Sequence, residues 1–270
     1  MTFIDMLAMV SRPDAAVFCA VLGLFLGSFY CVCVDRFFTG ESIAFPPSHC
    51  THCGERLRPW ELIPVVSWLC LRGKCGHCGV KLSIRYPLTE LTSGLLAGLI
   101  GWRFGLTAAG FVALIFTGLW FVMSLIDLKA KILPDRMNLP GAVLALPAGI
   151  FVFGLDPTDA VIGGLAGAAV FWLVRLYYQK RTGTEGLGLG DVKLMLMLGF
   201  LTGAHLLPLT VIFAGVAALF GFAALKLVGR TEGAVTETQL PFGPFLCLAA
   251  WVNLLWGDAL WMAWIRFMTQ

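Results

Sequence analysis

Charge is what this sequence has least of. Of its 270 residues only 13% are Asp, Glu, Lys or Arg, against 59% hydrophobic, whereas a soluble domain carries about 25% charged residues. A water-soluble globule is thereby excluded, and the chain reads as a polytopic membrane protein. Histidine is almost as sparse: His49, His52 and His77 share one loop, and His205 stands alone at the far end of a short apolar run. With no other histidine to serve a Ser–His or Cys–His pair, triad-type catalysis is disfavoured. An H-E-x-x-H helix and a P-loop are absent too, and no nucleic-acid partner is expected. A cleavable signal peptide is not evident, because only Arg12 precedes the first apolar run and no small-residue cleavage site follows it. That run is read as a retained span.

Apolar runs are what the sequence has in quantity. Eight can be drawn, at roughly 14–35, 87–104, 107–126, 138–154, 159–178, 191–204, 206–228 and 242–264. The fourth and sixth are short for a span of about 20 residues, and short segments suit helices that end in a wet, protein-lined cavity. Segments 36–86, 127–138, 175–193 and 226–241 hold all 19 Lys and Arg residues except Arg12, Arg103 and Arg266. The positive-inside rule puts these four loops in the cytoplasm and both termini outside. The expected fold is an all-α polytopic membrane protein with about eight transmembrane helices. Residues 1–35 would hold the first span, 36–86 a cytoplasmic loop, and 87–270 a seven-span core.

Four of the nine cysteines form two pairs, Cys50–Thr–His–Cys53 and Cys75–Gly–His–Cys78. SHCTHCGERL and GKCGHCGVKL share C-x-H-C-G-x-x-L, with Gly54 and Gly79 where a knuckle turn needs a permissive backbone. This spacing predicts a four-cysteine zinc site of tetrahedral thiolates. Two disulfides would use the same residues, but a cytoplasmic loop is reducing. Four thiolates close the coordination shell, so the metal would be structural. The histidines of the loop rank below the cysteines as ligands. A metal staple would make this Pro-containing loop a compact lobe, with Trp60, Trp68 and Leu69 at the membrane interface. Cys19, Cys31, Cys33, Cys70 and Cys247 are expected to pack as small apolar residues.

Asp127 ends the run FTGLWFVMSLI, and Asp191 opens another after GLGLG. Carboxylates at the edge of a bilayer are costly and tend to be functional or paired. Two spans separate them, so they emerge at the same, cytoplasmic, end and can meet. Two carboxylates in one low-dielectric site are the minimum equipment for aspartic-type hydrolysis. Taken singly, each has a plainer reading: Asp191 as a helix N-cap, Asp127 as an interfacial charge paired with Lys129 or Lys131. Asp135, before RMNLPG, reads as the N-cap of the next span. Gly186, Gly188 and Gly190 would let a substrate backbone or the partner carboxylate approach Asp191 closely. Gly188, Gly190 and Lys193 are candidate substrate-binding residues.

These segments together resemble the bacterial type IV prepilin leader peptidase/N-methyltransferase family, the GxGD-type intramembrane aspartic peptidases of pilus assembly and type II secretion. The matching stretches, in order, are LGSF-x5-DR at 26–36, the two Cys pairs around WELIPVVSWLCLRGK, SIRYPLTELTSG at 83–94, LIDLKAKILPD at 125–135, GLGLGDVKL at 186–194 and LPFGPFL at 240–246. The resemblance implies that Asp127 and Asp191 are the catalytic pair. It also implies prepilin or pseudopilin substrates, cut after the Gly that follows a basic leader, at the cytoplasmic face of the bacterial inner membrane. Many members then methylate the new amine with S-adenosylmethionine. Where the family pattern has Asn, this chain has Cys31, at a position linked with methylation, so a leader peptidase lacking methylation is the alternative. A carboxylate-dependent transporter would need inverted repeats, and none is found. A zinc-bearing scaffold would tolerate loss of either aspartate.

Overall fold

The computed structural model describes residues 10–184, 186–227 and 241–269. Each of the eight apolar runs forms a helix. In chain order these are α1 (Arg12–Thr39), α3 (Arg85–Phe104), α4 (Ala108–Ala130), α5 (Asp135–Phe151), α6 (Pro157–Thr182), α7 (Leu189–Thr202), α8 (Leu207–Leu227) and α9 (Gly243–Met268). A short α2 (Val66–Cys70) lies in the cysteine loop. Five helices, α1, α4, α6, α8 and α9, are long and apolar enough to cross a membrane. Of the others, α3 carries Arg85, Glu90 and Arg103, and α5 and α7 have 17 and 14 residues. Large apolar side chains such as Phe18, Phe25, Leu165, Leu219 and Phe220 face outward, as a lipid-facing surface requires.

Local chemistry sets the helix starts. The Ser11 hydroxyl accepts the Asp14 N–H at the head of α1, and the Asp156 carboxylate accepts from Thr158 and Asp159 at the head of α6. Each cap is followed by a proline in the first turn, whose missing N–H costs nothing there.

The chain divides into two compact units, 1–118 and 119–270, so the division falls inside α4. The sequence-based division at 86 groups α3 with the core, but in the structure α3 packs along α1 within the first unit. Small residues make that pairing close. A Cβ on Gly23 would lie 2.6 Å from that of Ala97, and one on Gly101 would lie 2.5 Å from the Ala15 carbonyl. Between membrane helices, such close backbone approach replaces the hydrophobic drive. In the second unit α7 is central, with Leu194, Met195, Met197 and Leu198 wholly buried. It meets α6 backbone to backbone: a Cβ on Gly163 would come 2.6 Å from the Gly199 carbonyl. At one end of this unit His205 Nδ1 lies 2.8 Å from Asp159 Oδ2. Asp127 and Asp191 lie at the opposite end.

Two expectations for the cysteine loop need correction. Trp60 and Leu69 are exposed, but Trp68 turns inward over Gly73, which has a φ of 68° and no side chain to obstruct the ring. Cys70 is exposed instead of packed, because α2 is a single surface turn with no buried face.

Candidate active site and metal centre

Asp127 sits one turn from the end of α4 and is 5% exposed. Among the described residues no hydrogen-bond donor is assigned to its buried Oδ2. The Gly243 N–H, in the first turn of α9, faces this carboxylate, and a Cβ on Gly243 would lie 2.7 Å from Oδ2. Gly243 belongs to the LPFGPFL motif, whose Leu240 lies outside the described residues. The motif could be matched in the sequence, but its contact with Asp127 could not be read there, since 116 positions separate the two.

Asp191 is the third residue of α7, and the N-cap is Gly188. The N-cap reading of Asp191 is therefore replaced by a first-turn position. The Gly188 N–H faces its carboxylate, as a glutamate does in the reciprocal half of a capping box. Asp191 thus stands at the N-terminus of α7, and the Asp127 carboxylate, near the C-terminal end of α4, faces the N-terminus of α9, where the aligned peptide dipoles favour negative charge. They are within electrostatic range of each other and of the buried Cys247. Leu133 links the two sides: a Cβ on Gly190 would lie 2.8 Å from Leu133 Cβ, and one on Gly243 would lie 3.1 Å from Leu133 Cδ1. An unpartnered buried carboxylate oxygen beside a second carboxylate calls for a functional explanation, and a water or substrate amide between them supplies one.

The glycine-rich run before Asp191 is held in place by side chains. A Cβ on Gly186 would enter the Tyr178 ring, so this glycine gives room to a protein ring. Arg175, buried near the end of α6, donates to the Leu187 carbonyl. Asn138, wholly buried in α5, donates to the Gly190 carbonyl at 2.9 Å. Neither anchor was singled out from the sequence, where each is an isolated polar residue in a helix. Lys193 binds both carboxylate oxygens of Asp135 at 2.7 Å. Asp135 is consequently not an N-cap. Pro134 holds that position without a side-chain bond.

In the first unit, Cys50, Cys53, Cys75 and Cys78 bring their sulfurs within 4.8 Å of one another. Zinc–sulfur bonds of about 2.3 Å at tetrahedral angles put sulfurs roughly 3.8 Å apart, and Cys50 and Cys78 are 4.0 Å apart. The two halves of the site are the same structure built twice. Cys50 N–H donates to the Glu55 carbonyl and Gly54 N–H to Cys50, while Cys75 N–H donates to Val80 and Gly79 N–H to Cys75. His49–Arg56 and Lys74–Lys81 form matching bridges, and Gly54 and Gly79 take φ of 71° and 70°. The Cys53 N–H, with that of His52, lowers the Cys50 thiol below its ordinary value, while the neighbouring Cys53 thiol is raised. The donor set fits zinc: four thiolates at this spacing would complete its tetrahedral shell.

Comparison with known proteins gives the family. Residues 21–104 match the Bacterial Peptidase A24 N-terminal domain, and residues 114–223 match the Type IV leader peptidase family. Proteins named prepilin leader peptidase/N-methyltransferase from Stutzerimonas stutzeri and Pseudomonas aeruginosa are 38% and 39% identical, each over 99% of both chains. One from Neisseria gonorrhoeae is 35% identical over 94% of this chain and 95% of its own. No solved structure matches. By these matches this chain belongs to the type IV leader peptidase family.

Proposed function

We propose that the protein is an aspartic endopeptidase of the bacterial inner membrane that removes the basic leader of prepilins or pseudopilins after Gly, at the cytoplasmic face. The observation that carries this reading is the pair Asp127 and Asp191, the first facing the N-terminus of α9 and the second in the first turn of α7, around Leu133 at one end of the second unit. The loop charges support the sidedness. One carboxylate, ionised, takes a proton from water as the oxygen attacks the scissile carbonyl. The other, protonated, donates to the carbonyl oxygen. The C–N bond then breaks, and the departing amine takes a proton from the pair. The two titrate as one unit, so neither role belongs to a particular residue. Gly188 leaves bare backbone beside Asp191 for an extended peptide, Gly190 is covered by Leu133 and holds the turn instead, and Lys193, held by Asp135, borders the approach.

The names of the relatives support a second step, N-methylation of the new amine. S-adenosylmethionine, when bound, would supply the methyl group that replaces the amine proton. Zinc, bound by Cys50, Cys53, Cys75 and Cys78, would hold the lobe together. The test is cleavage of a model prepilin in membranes containing wild type, Asp127→Asn or Asp191→Asn at matched expression. Each substitution is expected to abolish processing while the protein stays inserted. Continued cleavage by both variants would sink the assignment.

A further inference from the structure

The carboxylate pair has one apolar neighbour common to both of its sides, Leu133. A Cβ on Gly243 would lie 2.7 Å from Asp127 Oδ2, and 3.1 and 3.2 Å from the two Leu133 methyl carbons. On the α7 side, the atoms nearest to a Cβ on Gly190 are Leu133 Cβ, Cδ1 and Cγ, at 2.8, 3.4 and 3.5 Å. Leu133 therefore rests against Gly243, whose N–H faces Asp127, and against Gly190, the residue before Asp191. Its isobutyl group fills the space that side chains on these two residues would otherwise take.

The connection from α4 to α5 imposes this placement. Lys131 follows α4 with its N–H on the Asp127 carbonyl at 2.7 Å and a φ of 56°. For a residue with a Cβ that left-handed state is costly, and it persists where the surroundings over-determine it, often beside a functional site. Two residues further on, Leu133 precedes Pro134, which disfavours helical backbone at Leu133 and holds the N-cap position of α5. Between these fixed points Ile132 is 54% exposed and Leu133 only 8%. The turn thus selects which of two adjacent apolar residues stands beside the carboxylates.

A peptide about to be cut brings its scissile carbonyl to the pair. The Cα of the residue on the leader side is bonded directly to that carbonyl carbon, about 1.5 Å away. A side chain on this residue would start one bond further on, beside the carboxylates, where Leu133 already stands. Glycine places no atom there. We propose that Leu133 sets the requirement for glycine on the leader side of the cleaved bond, by filling the space that a larger residue would need. This deepens the peptidase reading above and rests on it.

The test uses two model prepilins, one with Gly and one with Ala before the cleaved bond. Each is offered to membranes containing wild type, Leu133→Ala, Leu133→Val or Leu133→Met at matched expression, and kcat/KM is read for both substrates. One methyl group too many in a closed apolar site costs about 10–200-fold, and wild type is expected to favour Gly by about that factor. Leu133→Ala should narrow the preference by about tenfold or more and Leu133→Val by less, while Leu133→Met, which keeps the volume, should preserve it. Damaged packing slows both substrates alike, so the ratio separates specificity from a merely structural role. An unchanged ratio in Leu133→Ala and Leu133→Val overturns the proposal, as does loss of both activities in both variants. A wild type that cuts the Ala substrate as fast as the Gly substrate overturns it too. In these three cases cleavage of the Gly substrate by wild type leaves the peptidase reading standing. If wild type cuts neither substrate, that reading falls and this inference with it.

Discussion

Asp127 and Gly243 depend on each other. The carboxylate is buried with one oxygen unsatisfied, and the only side chain tolerated opposite it is a hydrogen, since a Cβ would sit 2.7 Å from Oδ2. Gly243→Ala is expected to displace the carboxylate by some tenths of an ångström and to lower cleavage by about 10–100-fold, given that a 1 Å misplacement can cost roughly 100-fold. Initial rates on a model prepilin at equal protein level measure this, and a rate within twofold of wild type would contradict it. Asn138 acts through the Gly190 carbonyl. Asn138→Ala would remove a side-chain hydrogen bond to that carbonyl, at a cost of about 0.5–1.5 kcal/mol. We expect a lower thermal midpoint and a reduced kcat with KM little changed, because Asn138 orients the turn before Asp191 without reaching the substrate.

At the scale of elements, the repeated knuckle determines how the cysteine lobe responds to loss of its metal. Both halves make the same backbone bonds at the same offsets, so Cys50→Ser and Cys75→Ser should lower bound zinc alike. Chelation should then open the lobe at its basic residues. Limited trypsin digestion, with and without chelator, is expected to cut between 56 and 81 only after metal removal. Resistance of the stripped protein would mean that the apolar patch around Trp68 folds the lobe unaided. Among the helices, α7 is the most constrained. At 14 residues it spans about 21 Å, short of the roughly 30 Å hydrocarbon core, and it is enclosed by its neighbours. Gly199→Leu would force a branched side chain into the α6 backbone at Gly163. The overpacking should cost about 1–3 kcal/mol or more, seen as loss of accumulated protein in membranes.

For the whole molecule, the two compact units carry different chemistry. The carboxylate pair and every group holding it lie in 119–270, while the cysteine site lies in 1–118. Asp191→Asn should therefore abolish cleavage while leaving zinc stoichiometry at its wild-type value. Coupled loss of both would mean that the units do not fold independently. The sequence alone determined what local pattern can carry: eight apolar runs that became eight helices, two knuckles from C-x-H-C-G, and two aspartates brought to one end by an even number of intervening runs. Those features are set within a few turns of chain by hydropathy, turn glycines and the solvent cost of a charge. Only the tertiary structure decided the rest. It showed that α3 belongs with α1, that Gly243 faces Asp127, that Asn138 and Arg175 hold the glycine turn, that Lys193 pairs with Asp135, and that Leu133 stands between Gly190 and Gly243. Each of these contacts joins residues on separate elements. Such pairings are set by how the helix faces and the cysteine lobe pack, and that packing leaves no periodic trace along the chain.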